Sequence, residues 1–162
     1  MQAFLDGLID LLTNPVLICA VFAWILAQIL KIFLSPKYRK GMSLVRFIVG
    51  SGGMPSSHSA AVCATCFSCG ILYGYGSPLF AISGVLAVVV MRDAAGIRRE
   101  AGKQAEVINK IAEELNQQNK KKTFEDTLKE FLGHTPSQVM VGGILGVLTA
   151  FVCQYLLFPV MS

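Results

Sequence analysis

Four apolar runs approach the roughly 20 residues that a helix needs to cross a bilayer, and no other feature constrains the fold as strongly. They cover residues 15–34, 58–73, 78–91 and 138–158. The second and third runs are short and are separated by the turn-forming stretch 74–77, which predicts a helical hairpin. The pattern therefore predicts a chain that folds within a membrane.

The charged residues are segregated from these runs. Eight of the ten acidic and nine of the fourteen basic residues lie between residues 92 and 130. The chain is 54% hydrophobic with a mean hydropathy of +0.59, which excludes an ordinary soluble domain. We expect an all-α, polytopic membrane helical bundle with about four transmembrane helices. It forms one integral membrane domain over residues 1–162, with a charged cytoplasmic helical insert at about residues 92–133.

The placement of lysine and arginine predicts the orientation. Apart from Lys31 near the end of the first run, the basic residues lie in the loop that follows and in the insert. The N-terminal stretch, the turn at 74–77 and the C-terminal tail contain none. Both charged loops should therefore face the cytoplasm. We expect an integral membrane protein of the plasma (inner) membrane whose partners are the bilayer and a lipid phosphate, with no nucleic acid.

The insert has helical periodicity. Val107, Ile108, Ile111 and Leu115 recur at helical spacing within residues 101–118, which predicts an amphipathic helix lying on the protein or on the membrane surface. A capping-box pattern at Thr123 predicts a second short helix that ends at residue 133.

Small residues mark the predicted packing faces. Cys63, Cys66 and Cys69 have CxxCxxC spacing, but they fall inside an apolar run without a fourth ligand in register, so we expect helix packing and no metal. Gly142 and Gly146 form a GxxxG pair in the last run, which favours close packing of two helices, within one chain or between two copies. A homodimer is one possibility.

The stretch Gly52-Gly53-Met54-Pro55-Ser56-Ser57-His58-Ser59-Ala60 opens the second run. Glycines permit close backbone approach, and serines cap helix N-termini, whose N–H groups bind anions. His58 adds a group that exchanges a proton near neutral pH. The stretch predicts a phosphate site, unless it only starts a membrane helix.

His134 opens the last run, and both histidines of the chain thus stand at a cytoplasmic helix start. Two imidazoles at one membrane face can divide the labour of phosphoryl transfer, one attacking phosphorus and the other protonating the leaving alcohol. The alternative is structural, because Thr135 and Gln138 fit a capping box in which the Gln138 side chain bonds back to the Thr135 N–H.

Four basic residues are candidate phosphate ligands. Lys31 ends the first run, where it either snorkels to the interface or reaches the phosphate site. Arg39 lies in the basic loop that follows. Arg98 and Arg99 follow the third run, where they either bind phosphate through their planar guanidinium groups or serve as positive-inside anchors.

At these motifs the chain resembles the divergent branch of the type 2 phosphatidic acid phosphatase superfamily, which is related to acid phosphatases and vanadium-dependent haloperoxidases. The resemblance covers nearly the whole chain and rests on GGMPSSHSA, DAAGIRREAGKQA and GHTPSQVMVGGILG, which occur in that order.

The resemblance implies roles for individual residues. His58 corresponds to the general acid, and His134 to the nucleophile that forms a phosphohistidine. Gln138 stands where the superfamily has a carboxylate that orients the nucleophile. The resemblance makes Lys31 and Arg39 phosphate ligands, although the first motif's spacing is not met. An arginine expected upstream of His134 is absent, and Arg98 or Arg99 replaces it in our interpretation.

Two hypotheses follow, from different classes of function. The first is a phosphatase of lipid phosphates or pyrophosphates that needs neither metal nor cofactor. His134, His58 and Gln138 are its catalytic residues, and its phosphate ligands are Lys31, Arg39, Ser56, Ser57, Arg98 and Arg99. The second is a non-catalytic protein that binds or carries a phospholipid headgroup, which the neutral Gln138 favours. A purely structural membrane protein is a third possibility.

Overall fold

The computed structural model describes residues 1–34, 53–119 and 134–158. Within these ranges the chain is helical and consists of α1 (Gln2–Thr13), α2 (Pro15–Leu34), α3 (Ser57–Tyr73), α4 (Pro78–Ala95), α5 (Ile97–Asn119) and α6 (Pro136–Val152). A π-helical turn, Cys153–Leu157, extends α6. The all-α class predicted from the apolar runs is confirmed.

The helices of the bundle begin at residues whose side chains accept hydrogen bonds from the first turn. Asn14 caps α2, Ser56 caps α3, Ser77 caps α4 and Thr135 caps α6. Each cap satisfies one of the N–H groups that a helix start leaves without an intrahelical partner. Local polar residues therefore set where each apolar run begins.

The predicted runs match the observed helices closely. The first run coincides with α2, and the predicted turn at 74–77 separates α3 from α4. α4 continues to Ala95 because Arg92 and Asp93 still fit its final turn, and α5 begins at Ile97 rather than at residue 101. α1 was not predicted, since its apolar residues are interrupted by Asp6 and Asp10.

Three of the described helical stretches are long and apolar enough to cross a membrane: Pro15–Leu34, Pro78–Leu115 and Pro136–Leu157. α3 has 17 residues, or about 26 Å of helix, against a hydrocarbon core of about 30 Å. The number of four transmembrane helices therefore stays a prediction.

α3 is the centre of the bundle and packs against α2, α4 and α6. Small side chains let these helices approach closely. The buried apolar cluster between α2, α3 and α6 consists of Cys19, Ala23, Ala27, Ala60, Ala64, Ala150 and Cys153.

The cysteines of α3 also serve packing. The Cys63 Sγ lies 3.6 Å from the Met91 Sδ of α4, and the Cys66 Sγ lies 4.0 Å from the Phe80 carbonyl oxygen. All three cysteines of the CxxCxxC stretch are buried free thiols. The prediction of a small-residue packing face on α3 is confirmed.

The GxxxG pair of α6 packs directly on the first turns of α3. A Cβ atom added at Gly142 would meet the backbone oxygen of Ser56, and one added at Gly146 would meet the backbone oxygen of Ala60. Only glycine allows the two backbones to approach this closely.

α5 is amphipathic, as its periodicity predicts, and its described packing is mainly with α4. Its apolar residues Val107, Ile108 and Ile111 are each more than half exposed. Its charged face carries the ion pairs Lys103–Glu100 and Lys110–Glu106, with nitrogen–oxygen distances of 2.7 and 2.8 Å. Exposed pairs of this kind contribute little to stability, because water screens the charges.

We expect Gly146→Ala to destabilise the bundle by about 1–3 kcal/mol, because the added methyl group forces α3 and α6 apart. Gly84→Ala is the matched control, since a Cβ there meets only the Cys66 Sγ at an ordinary 3.7 Å. Thermal unfolding in detergent, followed by circular dichroism, measures both. Equal unfolding temperatures for the two variants would contradict the close approach at Gly146.

Candidate active site at the converging helix ends

Four helix ends meet at one end of the bundle. They are the C-terminal ends of α2 and α4 and the N-terminal ends of α3 and α6. Two backbone hydrogen bonds connect them: the Ser56 N–H donates to the Gln138 carbonyl at 3.0 Å, and the His134 N–H donates to the Ala94 carbonyl at 3.1 Å. This end collects the residues that the sequence motifs singled out.

The start of α3 is a buried, capped turn. Gly53 has a φ of +82°, which glycine adopts without strain, and the chain then passes through buried Pro55 into the helix. The Ser56 hydroxyl accepts the Ser59 N–H at 3.3 Å and the Ser59 hydroxyl at 3.0 Å. Ser56 is therefore occupied as the cap, and it holds the N-terminus of α3 in place.

Lys31 points into this site instead of extending to solvent. Its side chain is only 2% exposed, and its Nζ donates to the Ser57 Oγ at 3.1 Å. Among the described residues no carboxylate pairs with this ammonium group. A buried cation without a carboxylate is costly, and an anion bound beside it offsets that cost.

His134 is buried beside Gln138. The His134 Nδ1 lies 3.2 Å from the Gln138 Oε1, and the same oxygen accepts the Thr135 N–H at 3.1 Å. Since that N–H requires an acceptor, the Gln138 oxygen faces the ring and Nδ1 carries the proton. The neutral imidazole then has its lone pair on Nε2, the form that a nucleophile requires.

The capping box predicted at Thr135 and Gln138 is present. It coexists with the contact to His134, so the two interpretations of this motif are not exclusive. The helix cap holds the Gln138 amide, and the amide in turn orients the imidazole.

His58 is exposed in the first turn of α3 and lies close enough to His134 to influence its protonation. The two histidines, 76 positions apart in sequence, thus share one site because α3 and α6 start at the same end of the bundle. An exposed imidazole can exchange a proton with solvent, whereas the buried His134 is shielded from it.

The environment lowers the pKa of His134 below its ordinary value of 6.5. Burial is the main cause, since it disfavours the charged form, and the nearby charges of Lys31 and His58 act in the same direction. The Gln138 amide and the Gly53 backbone act in the opposite direction, because both favour the charged ring. His134 is therefore mainly neutral at pH 7.

The remaining predicted ligands are located only in part. Arg39 and the short helix predicted between residues 123 and 133 lie outside the described residues, and the charged insert is described as far as Asn119. Arg98 and Arg99 occupy the first turn of α5, four and five residues after Ala94, but the structure describes only their backbone.

Two contributors were missed by sequence reasoning. Ser59 lies three residues after the Ser56 cap, and at this spacing a polar side chain can hydrogen-bond back to the capping residue. The sequence pattern could therefore have identified Ser59. Ala94 contributes through its backbone carbonyl, and no sequence pattern identifies such a contact.

The lowered pKa of His134 predicts how stability depends on pH. Above about pH 7.5 the histidine is mainly neutral in both folded and unfolded chains, and no penalty applies. As the pH falls below that value, the unfolded chain binds the proton more readily, so the folded state loses stability. We expect His134→Gln to flatten this loss between pH 7.5 and 5.5 in thermal unfolding.

His58→Gln is the control, because it removes the other histidine, which is exposed. It should retain most of the wild-type pH dependence. If the His134→Gln variant loses as much stability on acidification as the wild type, the pH dependence does not come from His134.

The comparisons with known proteins agree with this architecture. Residues 12–149 match the divergent PAP2 family. The chain is 40% identical over 155 residues to the uncharacterized membrane protein YuiD of Bacillus subtilis (strain 168), an alignment that covers 90% of this chain and 98% of that protein. No solved structure matches the chain. The extent of the family match and the identity to this relative show that the chain is an integral membrane protein of the divergent PAP2 family.

Proposed function

We propose that this protein is a membrane-embedded phosphatase of lipid phosphates or pyrophosphates that acts through a phosphohistidine. The observation that carries the proposal is the convergence of a neutral, oriented imidazole, a second imidazole and a buried ammonium group at one helix N-terminus. His134, His58 and Lys31 supply these three groups. Membership of the divergent PAP2 family supports the same chemistry.

Binding of the phosphate group begins at Lys31 and the start of α3. The Lys31 ammonium and the Ser57 hydroxyl are 3.1 Å apart, so both can contact one phosphate oxygen. The N-terminal N–H groups of α3 and its helix dipole add favourable interactions with the anion. In this proposal Ser56 acts as the cap that positions these groups, and Arg39, Arg98 and Arg99 supply further positive charge.

The reaction proceeds in two steps. The Nε2 lone pair of His134 attacks phosphorus, the bond from phosphorus to the leaving oxygen breaks, and His58 donates its proton to that oxygen. Water deprotonated by His58 then attacks the phosphohistidine, which breaks the phosphorus–nitrogen bond and releases phosphate and free His134. Gln138 keeps the attacking tautomer in place throughout.

The substrate class follows from the position of the site. It lies at the end of a bundle of apolar helices, so it meets molecules that the bilayer presents. The distribution of lysine and arginine supports a cytoplasmic position for this end of the bundle. In our proposal the site therefore acts on lipids of the inner leaflet of the plasma membrane.

Phosphate release by the purified, detergent-solubilised protein tests the proposal. The substrates are phosphatidic acid, phosphatidylglycerophosphate and a polyprenyl pyrophosphate, with chelator present. We expect release by the wild type that falls at least about a hundredfold in His134→Ala, because the nucleophile is lost. Met140→Ala, at a 59% exposed position of α6, is the matched control and should retain activity. Release that continues unchanged in His134→Ala would overturn the mechanism.

A second candidate function is a non-catalytic carrier of phospholipid headgroups. It is favoured by Gln138, because an amide orients the imidazole but cannot stabilise its positive charge as a carboxylate does. The carrier hypothesis expects a folded wild-type protein that binds phosphatidic acid and releases no phosphate.

Gln138→Glu separates the two candidates. A glutamate suits both the capping box and the helix N-terminus, so the fold should tolerate it. If the protein is an enzyme, we expect turnover to rise about tenfold, because a carboxylate stabilises the imidazolium-like charge on His134. The measurement is the rate of phosphate release at pH 7. Absent turnover in both proteins, with lipid binding retained, would favour the carrier.

A further inference from the structure

We propose that a groove along α3, between α2 and α4, holds an acyl chain of the lipid whose phosphate binds at His58 and Lys31. This α3 groove has His58, Ala61, Thr65 and Leu72 on its floor. The inference rests on the proposed phosphate site and extends it from the headgroup to the lipid tail.

The contacts of α3 locate the two walls. On one side Ser57 bonds to Lys31, and Ala64 joins the buried cluster with the small residues of α2. On the other side the Cys66 Sγ lies against the Phe80 carbonyl, and 3.7 Å from where a Cβ of Gly84 would lie. At about 100° per residue these two contact faces are on nearly opposite sides of α3.

Two arcs of the α3 surface lie between these walls, and among the described helices α6 covers one of them and none covers the other. α6 packs on Ser56 and Ala60 through Gly142 and Gly146. The opposite arc contains the four floor residues, at positions that recur every three, four or seven residues and therefore share one face. His58 is exposed, and Ala61, Thr65 and Leu72 are half-buried, whereas Ser68 and Cys69 at the two edges of this face are buried. Partial exposure between buried edges is the pattern that a narrow groove produces.

The chemistry along the groove matches a lipid phosphate. Its upper end opens at His58, beside the buried ammonium of Lys31, which favours an anionic headgroup. Below His58 the floor is apolar apart from Thr65, whose hydroxyl is occupied by a 3.0 Å hydrogen bond to the Ala61 carbonyl. The floor runs for about 21 Å from His58 to Leu72, which exceeds the depth of one leaflet, about 15 Å.

The membrane around the groove supplies hydrocarbon chains as its occupant. The walls belong to two membrane-spanning helices, whose outer surfaces expose residues such as Ile25 and Val88. Ala61 and Thr65 have small side chains, and they lie at the depth where a chain attached to the bound phosphate must pass. The groove therefore selects a phosphate ester with a long apolar tail over a soluble one.

The experiment compares a tailed ligand with a bare one. Thr65→Trp fills the groove, and Ile144→Trp, at a 57% exposed position of α6, is the matched control. The ligands are a non-hydrolysable phosphonate analogue of phosphatidic acid with two oleoyl chains, measured by native mass spectrometry, and inorganic phosphate, measured by phosphorus NMR. Thr65→Leu, a smaller change, serves if the tryptophan variant does not fold.

We expect Thr65→Trp to weaken binding of the dioleoyl phosphonate about tenfold and to leave phosphate binding within about twofold, while Ile144→Trp changes neither. Unchanged phosphonate binding in a folded Thr65→Trp or Thr65→Leu variant overturns the groove and leaves the phosphate site standing. If the Thr65 substitution weakens phosphonate binding but inorganic phosphate does not bind to the protein, the groove is upheld and the phosphate pocket is overturned. Binding of neither ligand by the wild type overturns both.

The oligomeric mass from the same spectra tests a different occupant. A wild-type dimer that Thr65→Trp converts to a monomer would assign the groove to a second copy of the chain and overturn the lipid proposal. We expect the oligomeric mass to be the same in all variants.

Discussion

The contact between the backbones of α3 and α6 is the constraint on which the site depends. Gly142 and Gly146 let α6 lie directly against Ser56 and Ala60, so the two helices start at the same level. The hydrogen bond from Ser56 to the Gln138 carbonyl holds this register. His58 and His134 come together because each lies within a few residues of those starts. A side chain at either glycine would separate the helices and, with them, the two imidazoles.

The polar groups at this end of the bundle hold one another in place through hydrogen bonds. The Thr135 cap holds Gln138, Gln138 orients His134, and the His134 backbone bonds to the end of α4. Lys31 approaches from α2 and bonds to Ser57 in the first turn of α3. Groups that are buried and oriented before a ligand arrives need little rearrangement when it binds, which is the condition for effective electrostatic stabilisation. The rest of the bundle is built from small apolar residues that bring these helix ends together.

Much of the architecture could be predicted because it depends on local patterns. Apolar runs of membrane length, the N-cap residues and the turn at 74–77 define where α2, α3, α4 and α6 begin. α1 was missed because Asp6 and Asp10 interrupt its apolar positions, and the earlier start of α5 was missed because nothing but Gly96 separates it from α4. Ala94 could not be identified, since a backbone carbonyl takes part in the site through its position alone.

The class of the fold, the helix starts and the motifs that resemble a phosphatase superfamily can all be read from the sequence. These follow from hydrophobicity, capping and residue identity, which are properties of short segments. The tertiary structure was needed to show that Lys31 is buried against Ser57 and that Gln138 serves both the helix cap and His134. It was also needed to show that none of the described helices covers one face of α3. Those features depend on the angles and distances between helices, which are set by packing across the bundle and are not encoded in any one segment.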